Sequence, residues 1–432
     1  MSIGVNLAGL EFGESKIPGI LNTDYVSPTH EEYDYYYSKG LKTIRLPFRW
    51  ERIQPVLGGS LNTQYLSLIQ DNVNYAASKG MTVLLDVHNY ARYTLNGREY
   101  QIGSSQVTTA HFADLWHRLA TVFKGNPGIH GYDLMNEPYD MPAGLWRQVV
   151  QLVVNEIRKV DTQTTIYLEG NQWSGAWSWT THNNDFIIND PNVVYSAHCY
   201  LDHDASGQYY HWDTEVSQGV TVNTGVERLS VFVGWLKQHG FRGHIGEIGV
   251  ADHPNWNLAL KNALTYAVNN HLEVHYWAGG PWWNTYAMSI EPQNGQDAPQ
   301  MEVLKLFVNA APPTQPPTQP PTNPPPTQPP TNPPNVSLSL NIVNQWKEGN
   351  ITYKQYTLLI TNHGDKPILS LKIEARNLKI KSLWNLVILN NNDPKILGLP
   401  KWMTDYNQFP KGATKEAGFI TSSQPTLKVI EI

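Results

Sequence analysis

Short apolar runs alternate with amphipathic stretches along residues 1–311. The apolar runs are rich in β-branched residues and lack strict polar alternation, which is typical of strands buried on both faces. The predicted strands are 3–8, 43–48, 82–89, 131–137, 165–170, 193–200, 243–250 and 273–278. The stretches between them repeat apolar residues at helical spacing, and the clearest predicted helices are 62–79, 109–123, 144–159, 226–239 and 257–269.

Eight strands separated by helices over about 310 residues predict a (β/α)8 barrel. An open, doubly wound sheet is the alternative for such an alternation. It receives no support, because the first predicted strand is not followed by a Gly-x-Gly-x-x-Gly turn and the chain has no phosphate-binding loop.

A proline-rich segment separates this region from the rest of the chain. Residues 312–334 contain 13 prolines, and the other ten residues are Thr, Gln or Asn. Proline fixes φ and lacks an N–H, so the segment predicts an extended polyproline spacer, up to about 70 Å long at ~3.1 Å per residue. A ligand for an SH3-like domain is the rival interpretation. The threonines suit O-glycosylation of an extracellular stalk.

The last 98 residues have a different pattern. Strands are predicted at 336–343, 352–362 and 369–378, with a turn at 362–365, and no convincing helix is found. We therefore predict a small all-β sandwich. The predicted organisation is a catalytic domain over 1–311, a linker over 312–334 and the sandwich over 335–432.

Composition narrows the possible functions. The net charge is −6 over 432 residues, which argues against a nucleic-acid partner, and no apolar run is long enough for a membrane span. The 15 tryptophans and 23 tyrosines, among only 16% charged residues, suggest carbohydrate binding, although aromatic-rich packing explains the same composition. A single cysteine, Cys199, excludes an intramolecular disulfide and a cysteine-based zinc site.

Polar side chains recur where the predicted barrel strands end, which is where (β/α)8 enzymes place their active sites. Arg45 lies inside an apolar strand and needs an acidic partner, because an unpaired buried charge is costly. Each of these residues taken alone is explained by capping or core packing, but their joint placement favours an active site. The residues at or near strand ends are Arg45, Phe48, His88, Asn89, Asn136, Glu137, Asn171, His198, Tyr200, Glu247 and Trp277.

Glu137 and Glu247 lie on the fourth and seventh predicted strands, so they are expected to face each other across the barrel mouth. Two facing carboxyl groups are what glycosidic bond hydrolysis requires, one protonated and one ionised. Arg45 and the Tyr200 hydroxyl are expected to stabilise ionised Glu247. Repulsion from Glu247 is then expected to raise the pKa of Glu137.

Six segments resemble glycoside hydrolase family 5, most closely its subfamily 5 of endo-β-1,4-glucanases. They are TIRLPF (43–48), LDVHNYARY (85–93), LMNEP (134–138), HCYLD (198–202), GEIG (246–249) and YWAGGPWW (276–283). The resemblance covers residues 1–308 and implies a retaining mechanism, with Glu137 as acid/base and Glu247 as nucleophile. The lone Cys199 departs from fungal relatives, which often carry disulfides.

The same resemblance implies supporting and substrate-binding roles for further residues. Asn136 is expected to hydrogen-bond the sugar 2-hydroxyl, and the Trp277 ring to form the floor of the subsite that holds the cleaved sugar. Trp173 and Trp177 match aromatic residues of the leaving-group subsites. The full set of supporting residues is Arg45, His88, Asn89, Asn136, Trp173, Trp177, His198, Tyr200, Trp277 and Trp282.

The C-terminal region resembles the family 49 carbohydrate-binding modules. The matching segments are QW (345–346), YKQY (353–356), SLW (382–384), LPKW (399–402) and GFI (418–420). Trp346, Trp384 and Trp402 are too many tryptophans for a sandwich of this size to bury easily. We expect some of them to stack on glucan chains.

Other function classes fit less well. A metallohydrolase would need to gather His198, His203 and His211, but no His-Glu-x-x-His motif occurs. A serine hydrolase would need a Gly-x-Ser-x-Gly elbow, which is missing. A non-catalytic sugar-binding protein would not need both glutamates. Among glycosidases, a β-mannanase or a xyloglucanase remains the alternative, since the same catalytic residues serve all three.

No metal and no cofactor are expected, and the predicted partner is cellulose or another β-glucan bound by a monomer. The sequence passes from Met1 directly into the first strand without a leader. Either the protein stays inside the cell or a signal peptide has been removed; we expect a secreted, extracellular enzyme.

Overall fold

A computed structural model describes residues 3–308, 336–348, 351–390, 394–400, 404 and 409–431. These residues form two compact units, one before and one after the proline-rich segment. The exact domain boundaries and the predicted linker lie outside the described residues and stay predictions.

The first unit is built on a closed barrel of eight parallel strands, as predicted. Around the barrel the order is β1-β10-β9-β8-β7-β6-β3-β2. The strands are buried over nearly their whole length because helices cover the barrel outside and side chains fill it inside. The barrel strands are β1 (Ile3–Leu7), β2 (Thr43–Phe48), β3 (Thr82–Val87), β6 (Ile129–Asp133), β7 (Ile166–Glu169), β8 (Val193–His198), β9 (Gly243–Ile248) and β10 (Glu273–Gly279).

Ten helices lie within residues 3–308 of this unit, and several begin at the side-chain caps that their sequences predict. Asn62 accepts a hydrogen bond from the backbone of Tyr65 at the start of α3, and Thr108 caps α4 in the same way through His111. The helices are α1 (His30–Ser38), α2 (Trp50–Ile53), α3 (Thr63–Ser78), α4 (Thr109–Phe123), α5 (Leu145–Arg158), α6 (Trp179–His182), α7 (Trp212–Ser217), α8 (Thr224–His239), α9 (Pro254–Asn269) and α10 (Pro299–Val308).

The strand positions agree with the sequence prediction, but most strands are shorter at their C-terminal ends. The third, fourth and sixth barrel strands end at Val87, Asp133 and His198, two to four residues earlier than predicted. The residues beyond these points form the loops that build the site. The structure also adds a hairpin that was not predicted, β4 (Arg92–Leu95) with β5 (Arg98–Gln101). Its turn is Asn96-Gly97, with both residues at positive φ.

The strands described in the second unit form two four-stranded sheets, in agreement with the predicted β-sandwich, in the orders β11-β12-β17-β14 and β15-β16-β13-β18. Tyr356, Leu358 and Ile360 alternate inward along β12 and share one apolar core with Ile373 of the other sheet. The strands are β11 (Val336–Glu348), β12 (Ile351–Asn362), β13 (Lys372–Arg376), β14 (Ile380–Trp384), β15 (Val387–Asn390), β16 (Lys395–Gly398), β17 (Thr414–Thr421) and β18 (Thr426–Glu431).

The predicted turn after β12 is present, and the Asn362 side chain accepts from the Gly364 amide within it. Of the three tryptophans predicted to bind glucan, Trp402 and the side chain of Trp384 lie outside the described residues; Trp346 is half-buried. In the described part of the chain, no helix combines the length and apolar character that crossing a membrane requires.

Candidate active site

A fully buried arginine lies at the centre of the barrel mouth. Arg45 projects inward from β2, and its Nε donates to Asp133 at 2.7 Å, while Nη2 lies 3.1 Å from Asp86. Its Nη2 also donates to Glu169 and its Nη1 to Glu247, at 2.9 Å and 3.0 Å. The sequence predicted that Arg45 needs an acidic partner, and the structure surrounds it with a ring of four carboxyl groups.

Three members of this ring, Asp86, Asp133 and Glu169, were not among the predicted site residues. Burial raises the pKa of Asp86 and Asp133 well above the usual value for an aspartate. Burial acts on Glu169 in the same direction, but the charge of His198, its hydrogen bond and the charge of Arg45 outweigh it and lower the pKa. Their location inside apolar strands could have identified them from the sequence, because a buried ionisable residue needs a partner as much as Arg45 does.

Glu247 lies near the C-terminal end of β9, and both of its carboxylate oxygens accept hydrogen bonds. Arg45 Nη1 donates to its Oε1, and the Tyr200 hydroxyl donates to its Oε2 at 2.5 Å. The predicted environment of Glu247 is present in the structure.

Glu137 lies in the loop after β6 with a left-handed backbone, at a φ of 44°. Such a conformation costs about 1–3 kcal/mol for a residue other than glycine, and it is typical of functional sites. The Glu137 amide donates to Glu169 Oε2 at 2.7 Å, which holds the strained loop in place. Burial raises the pKa of Glu137 to about 7; the hydrogen bond and charge of His198 oppose this, and the charge of Glu247 adds to it.

His198 connects the two glutamates to the buried ring. Its Nδ1 lies 2.7 Å from Glu137 Oε1 and 3.5 Å from Glu247 Oε2, and its Nε2 lies 2.9 Å from Glu169 Oε1. Burial acts to lower the pKa of His198, but Glu169 and Glu247 raise it well above the usual value for histidine. The imidazolium can then donate to Glu137 and to Glu169 at the same time.

One oxygen of Glu137, one of Glu247 and a nitrogen of His198 all lie within 4.8 Å of one another. Among the described residues this is the one group with the spacing of metal ligands. His203 and His211 are not part of it: His203 Nδ1 lies 3.1 Å from Glu215, and His211 precedes α7. The three histidines considered for a metallohydrolase are therefore not gathered at one site.

An open cleft of about 680 Å³ passes over these groups. Its lining includes Trp173 and Trp177, which are 48% and 54% exposed, and Trp277. His88 stacks on Trp277 with ring centroids 5.5 Å apart, and its Nδ1 lies 2.7 Å from Asp86. Burial lowers the pKa of His88 to about 3, so its ring is neutral.

Asn136 is oriented by Arg45, which donates to its Oδ1 at 2.9 Å. Its buried Nδ2 has no hydrogen-bond partner within the described chain and lies in the cleft lining. This amide is therefore a donor available to a bound molecule.

Four other predicted residues lie outside the cleft lining, and one of them, Phe48 at the end of β2, is fully buried. Asn89 holds the loop after β3, since its amide bonds Glu51 and the backbone of Trp50. Asn171 bonds the backbone of Met141. Trp282 is half-buried, whereas the neighbouring Trp283, which was not predicted, contacts Trp277 at 5.8 Å between centroids.

Comparison with known proteins identifies the family of this chain. The family model described as cellulase (glycosyl hydrolase family 5) matches residues 5–283, and the model of the carbohydrate-binding domain CBM49 matches residues 336–423. The chain therefore belongs to glycosyl hydrolase family 5 and carries a family 49 carbohydrate-binding domain.

Similar proteins extend the comparison. The chain is 36% identical over 299 residues to endo-β-1,4-glucanase B of Emericella nidulans, covering 68% of this chain and 86% of that protein. Endoglucanase Cel5A of Pseudomonas stutzeri, solved in complex with cellobiose, is 42% identical with a TM-score of 0.68, covering 72% of this chain and 95% of that one. An endo-β-1,4-glucanase of Xanthomonas axonopodis pv. citri is 37% identical with a TM-score of 0.66, covering 71% and 98%.

Proposed function

We propose that this chain hydrolyses internal β-1,4-glucosidic bonds of cellulose and related β-glucans by a retaining mechanism. The main support for this proposal is the close approach of Glu137 and Glu247, because one carboxylate oxygen of each lies within 4.8 Å of the other. Retaining glycosidases keep their carboxyl groups about 5–5.5 Å apart, whereas inverting enzymes separate them by about 6.5–9.5 Å to admit a water. The family match and the named relatives support the substrate class.

In the first step Glu247 attacks the anomeric carbon. The bond from that carbon to the bridging oxygen breaks, and Glu137 transfers its proton to the departing oxygen. A glycosyl–enzyme ester on Glu247 results. Arg45 and Tyr200 donate to the two oxygens of Glu247 and hold it in position for the attack, and the raised pKa of Glu137 keeps its proton available near neutral pH.

In the second step Glu137, now ionised, takes a proton from water. The water oxygen attacks the anomeric carbon and releases Glu247 as carboxylate, so the sugar leaves with its original β configuration. His198 donates to Glu137 throughout and stabilises its ionised form after the first step.

The remaining cleft residues position the sugar. The unpartnered Nδ2 of Asn136 is suited to donate to the 2-hydroxyl, and Trp277 presents a ring surface under the cleaved sugar. Trp173 and Trp177 are exposed enough to stack on the sugars of the leaving group. Asn89 and Trp282 are proposed to act indirectly, through the loops that carry them.

The second unit is proposed to bind glucan chains through its aromatic side chains. Trp346 and Tyr353 are paired across β11 and β12, with ring centroids 6.0 Å apart, and Lys381 Nζ lies 4.1 Å from the Tyr353 centroid. We propose these rings as a stacking surface, and Trp384 and Trp402 remain predicted members of it. We also propose that the protein is a secreted monomer. Its two domains are 1–311 and 335–432, joined by a linker at 312–334.

A reducing-sugar assay tests the substrate class. Carboxymethyl-cellulose should be hydrolysed, and its viscosity should fall early because internal bonds are cut. Galactomannan should release at least tenfold less reducing sugar at equal enzyme. Preferential hydrolysis of galactomannan would overturn the glucanase proposal in favour of a β-mannanase.

A further inference from the structure

The loop that follows β10 carries aromatic residues that the proposed mechanism does not use. Two of them, Tyr286 and Trp283, contact Trp277, the ring predicted to lie under the cleaved sugar. Trp277 lines the catalytic cleft, whereas neither Tyr286 nor Trp283 belongs to the cleft lining. These two residues can therefore act on the sugar only through the Trp277 ring.

Close packing fixes the backbone at Trp277. The residue lies in β10, which pairs with β1 on one side and β9 on the other. A Cβ on Gly249 would clash with the Trp277 carbonyl oxygen and with Met288 Sδ, so these groups pack without space between them. Because the main chain has no room to move, the orientation of the indole depends on the side chains that touch it.

Within the described chain, three aromatic side chains contact the indole of Trp277. The His88 ring stacks on it with centroids 5.5 Å apart, and Trp283 meets it edge-on at 5.8 Å, with planes 71° apart. The third contact is polar, since Trp277 Nε1 donates to the Tyr286 hydroxyl at 3.2 Å. Ring contacts tolerate sliding and rotation, whereas a hydrogen bond requires alignment of the donor with the acceptor. The Tyr286 hydroxyl is therefore the contact that fixes the direction of the indole.

Tyr286 is itself held in place. Its ring stacks on Trp283 with centroids 4.3 Å apart and planes 23° apart, and its amide donates to the Trp283 carbonyl at 2.8 Å. Trp283 Nε1 donates to the Gly279 carbonyl at 2.9 Å, and the Trp283 ring contacts Phe12 at 4.9 Å. Burial raises the pKa of Tyr286 above the usual value for tyrosine, so the hydroxyl that accepts from Trp277 is uncharged.

We propose that Tyr286 is a positioning residue, which sets the tilt of Trp277 for the distorted sugar of the transition state. The inference rests on the proposed function and deepens it, because it adds Tyr286 to the machinery of the same reaction. The cleaved sugar flattens and gains positive charge as the glycosidic bond breaks. An aromatic face attracts positive charge, so the orientation of Trp277 matters more in the transition state than in the bound ground state.

Tyr286→Phe tests the proposal, because it removes the hydroxyl and keeps the ring that stacks on Trp283. We expect kcat for cellopentaose to fall about three- to tenfold, as for one neutral hydrogen bond, with KM within about twofold of wild type. A cellobiose-derived isofagomine carries positive charge at the anomeric position and should bind more weakly by the same factor. The affinity for cellobiose, which lacks that charge, should stay within about twofold.

The matched control is Tyr195→Phe. The hydroxyl of the buried Tyr195 also accepts one N–H, from Ile188 at 2.9 Å, and Tyr195 lies outside the cleft lining. This variant loses a comparable hydrogen bond without touching Trp277, so its kcat and its isofagomine affinity should both stay within about twofold of wild type.

A double variant tests whether Tyr286 acts through Trp277. Trp277→Phe removes the Nε1 donor, so adding Tyr286→Phe to it should lower kcat/KM for cellopentaose by less than about twofold further, because residues that share one contact are not additive. Wild-type kinetics for Tyr286→Phe, a loss confined to KM, or a loss that adds fully to that of Trp277→Phe would overturn the proposal. A wild type that cleaves no β-1,4-glucan would instead contradict the proposed function itself.

Discussion

The Nε2 nitrogen of His198 lies 2.9 Å from the Oε1 oxygen of Glu169, and both side chains are buried. Glu169 thereby holds a positive charge on a histidine that faces Glu137, although Glu169 is not in the cleft lining itself. The same carboxyl group also accepts from the Glu137 amide. The position and the protonation of Glu137 thus depend on a residue behind the catalytic surface.

Glu169→Gln tests this dependence. The substitution keeps the size of the side chain and removes the negative charge on which its hydrogen bonds to Arg45, His198 and the Glu137 amide depend. Loss of even one charge-assisted hydrogen bond costs about 1.5–3 kcal/mol, so kcat should fall roughly 10–100-fold. KM for soluble cellulose derivatives should change less than threefold, since the residue does not touch sugar. A raised KM with an unchanged kcat would contradict a positioning role.

The pH profile tests the protonation state of Glu137. Its pKa of about 7 means that the acid form is lost as the pH rises through 7. The kcat/KM for unactivated oligosaccharides should therefore fall about tenfold per pH unit above this value, because the leaving oxygen needs a proton. With a dinitrophenyl β-cellobioside the alkaline decline should be weaker, and identical profiles for both substrates would contradict the assignment.

Removing residues 312–432 tests the role of the second unit. Tethering a binding domain raises the effective concentration of the catalytic domain at an insoluble surface and gives no advantage in solution. Activity on crystalline cellulose should fall severalfold, while activity on carboxymethyl-cellulose stays within twofold. Equal losses on both substrates would mean that the second unit stabilises the barrel.

The barrel could be predicted because its strands are continuous apolar runs, and the paired glutamates because both lie near the ends of those runs. Asp86 and Glu169 escaped prediction because they lie within strands, where the pattern indicates only burial. Trp282 was predicted to contact the substrate region, but Trp283 is the one that contacts Trp277. The choice between these neighbours depends on the direction of the loop after β10, which a hydrophobic pattern does not encode. The β4–β5 hairpin carries an Asn-Gly turn that could have revealed it.

The configuration of the first product tests the double displacement. Proton NMR of cello-oligosaccharide hydrolysis should show the β-anomer before mutarotation produces the α-anomer. Early α-anomer would require an inverting enzyme and would contradict the covalent role of Glu247.

The separate roles of the two glutamates are the central claim, and azide rescue of Glu137→Ala tests them most directly. Without the acid, hydrolysis of cello-oligosaccharides should fall about 10²–10⁴-fold. A dinitrophenyl β-cellobioside should still form the glycosyl–enzyme, because dinitrophenolate leaves without a proton.

Added azide should then attack that ester and restore turnover, with β-cellobiosyl azide as the product identified by NMR. Glu247→Ala forms no ester and should not yield this β-azide. The account predicts β-azide from the Glu137 variant alone; an azide-insensitive Glu137→Ala, or β-azide from Glu247→Ala, would contradict it.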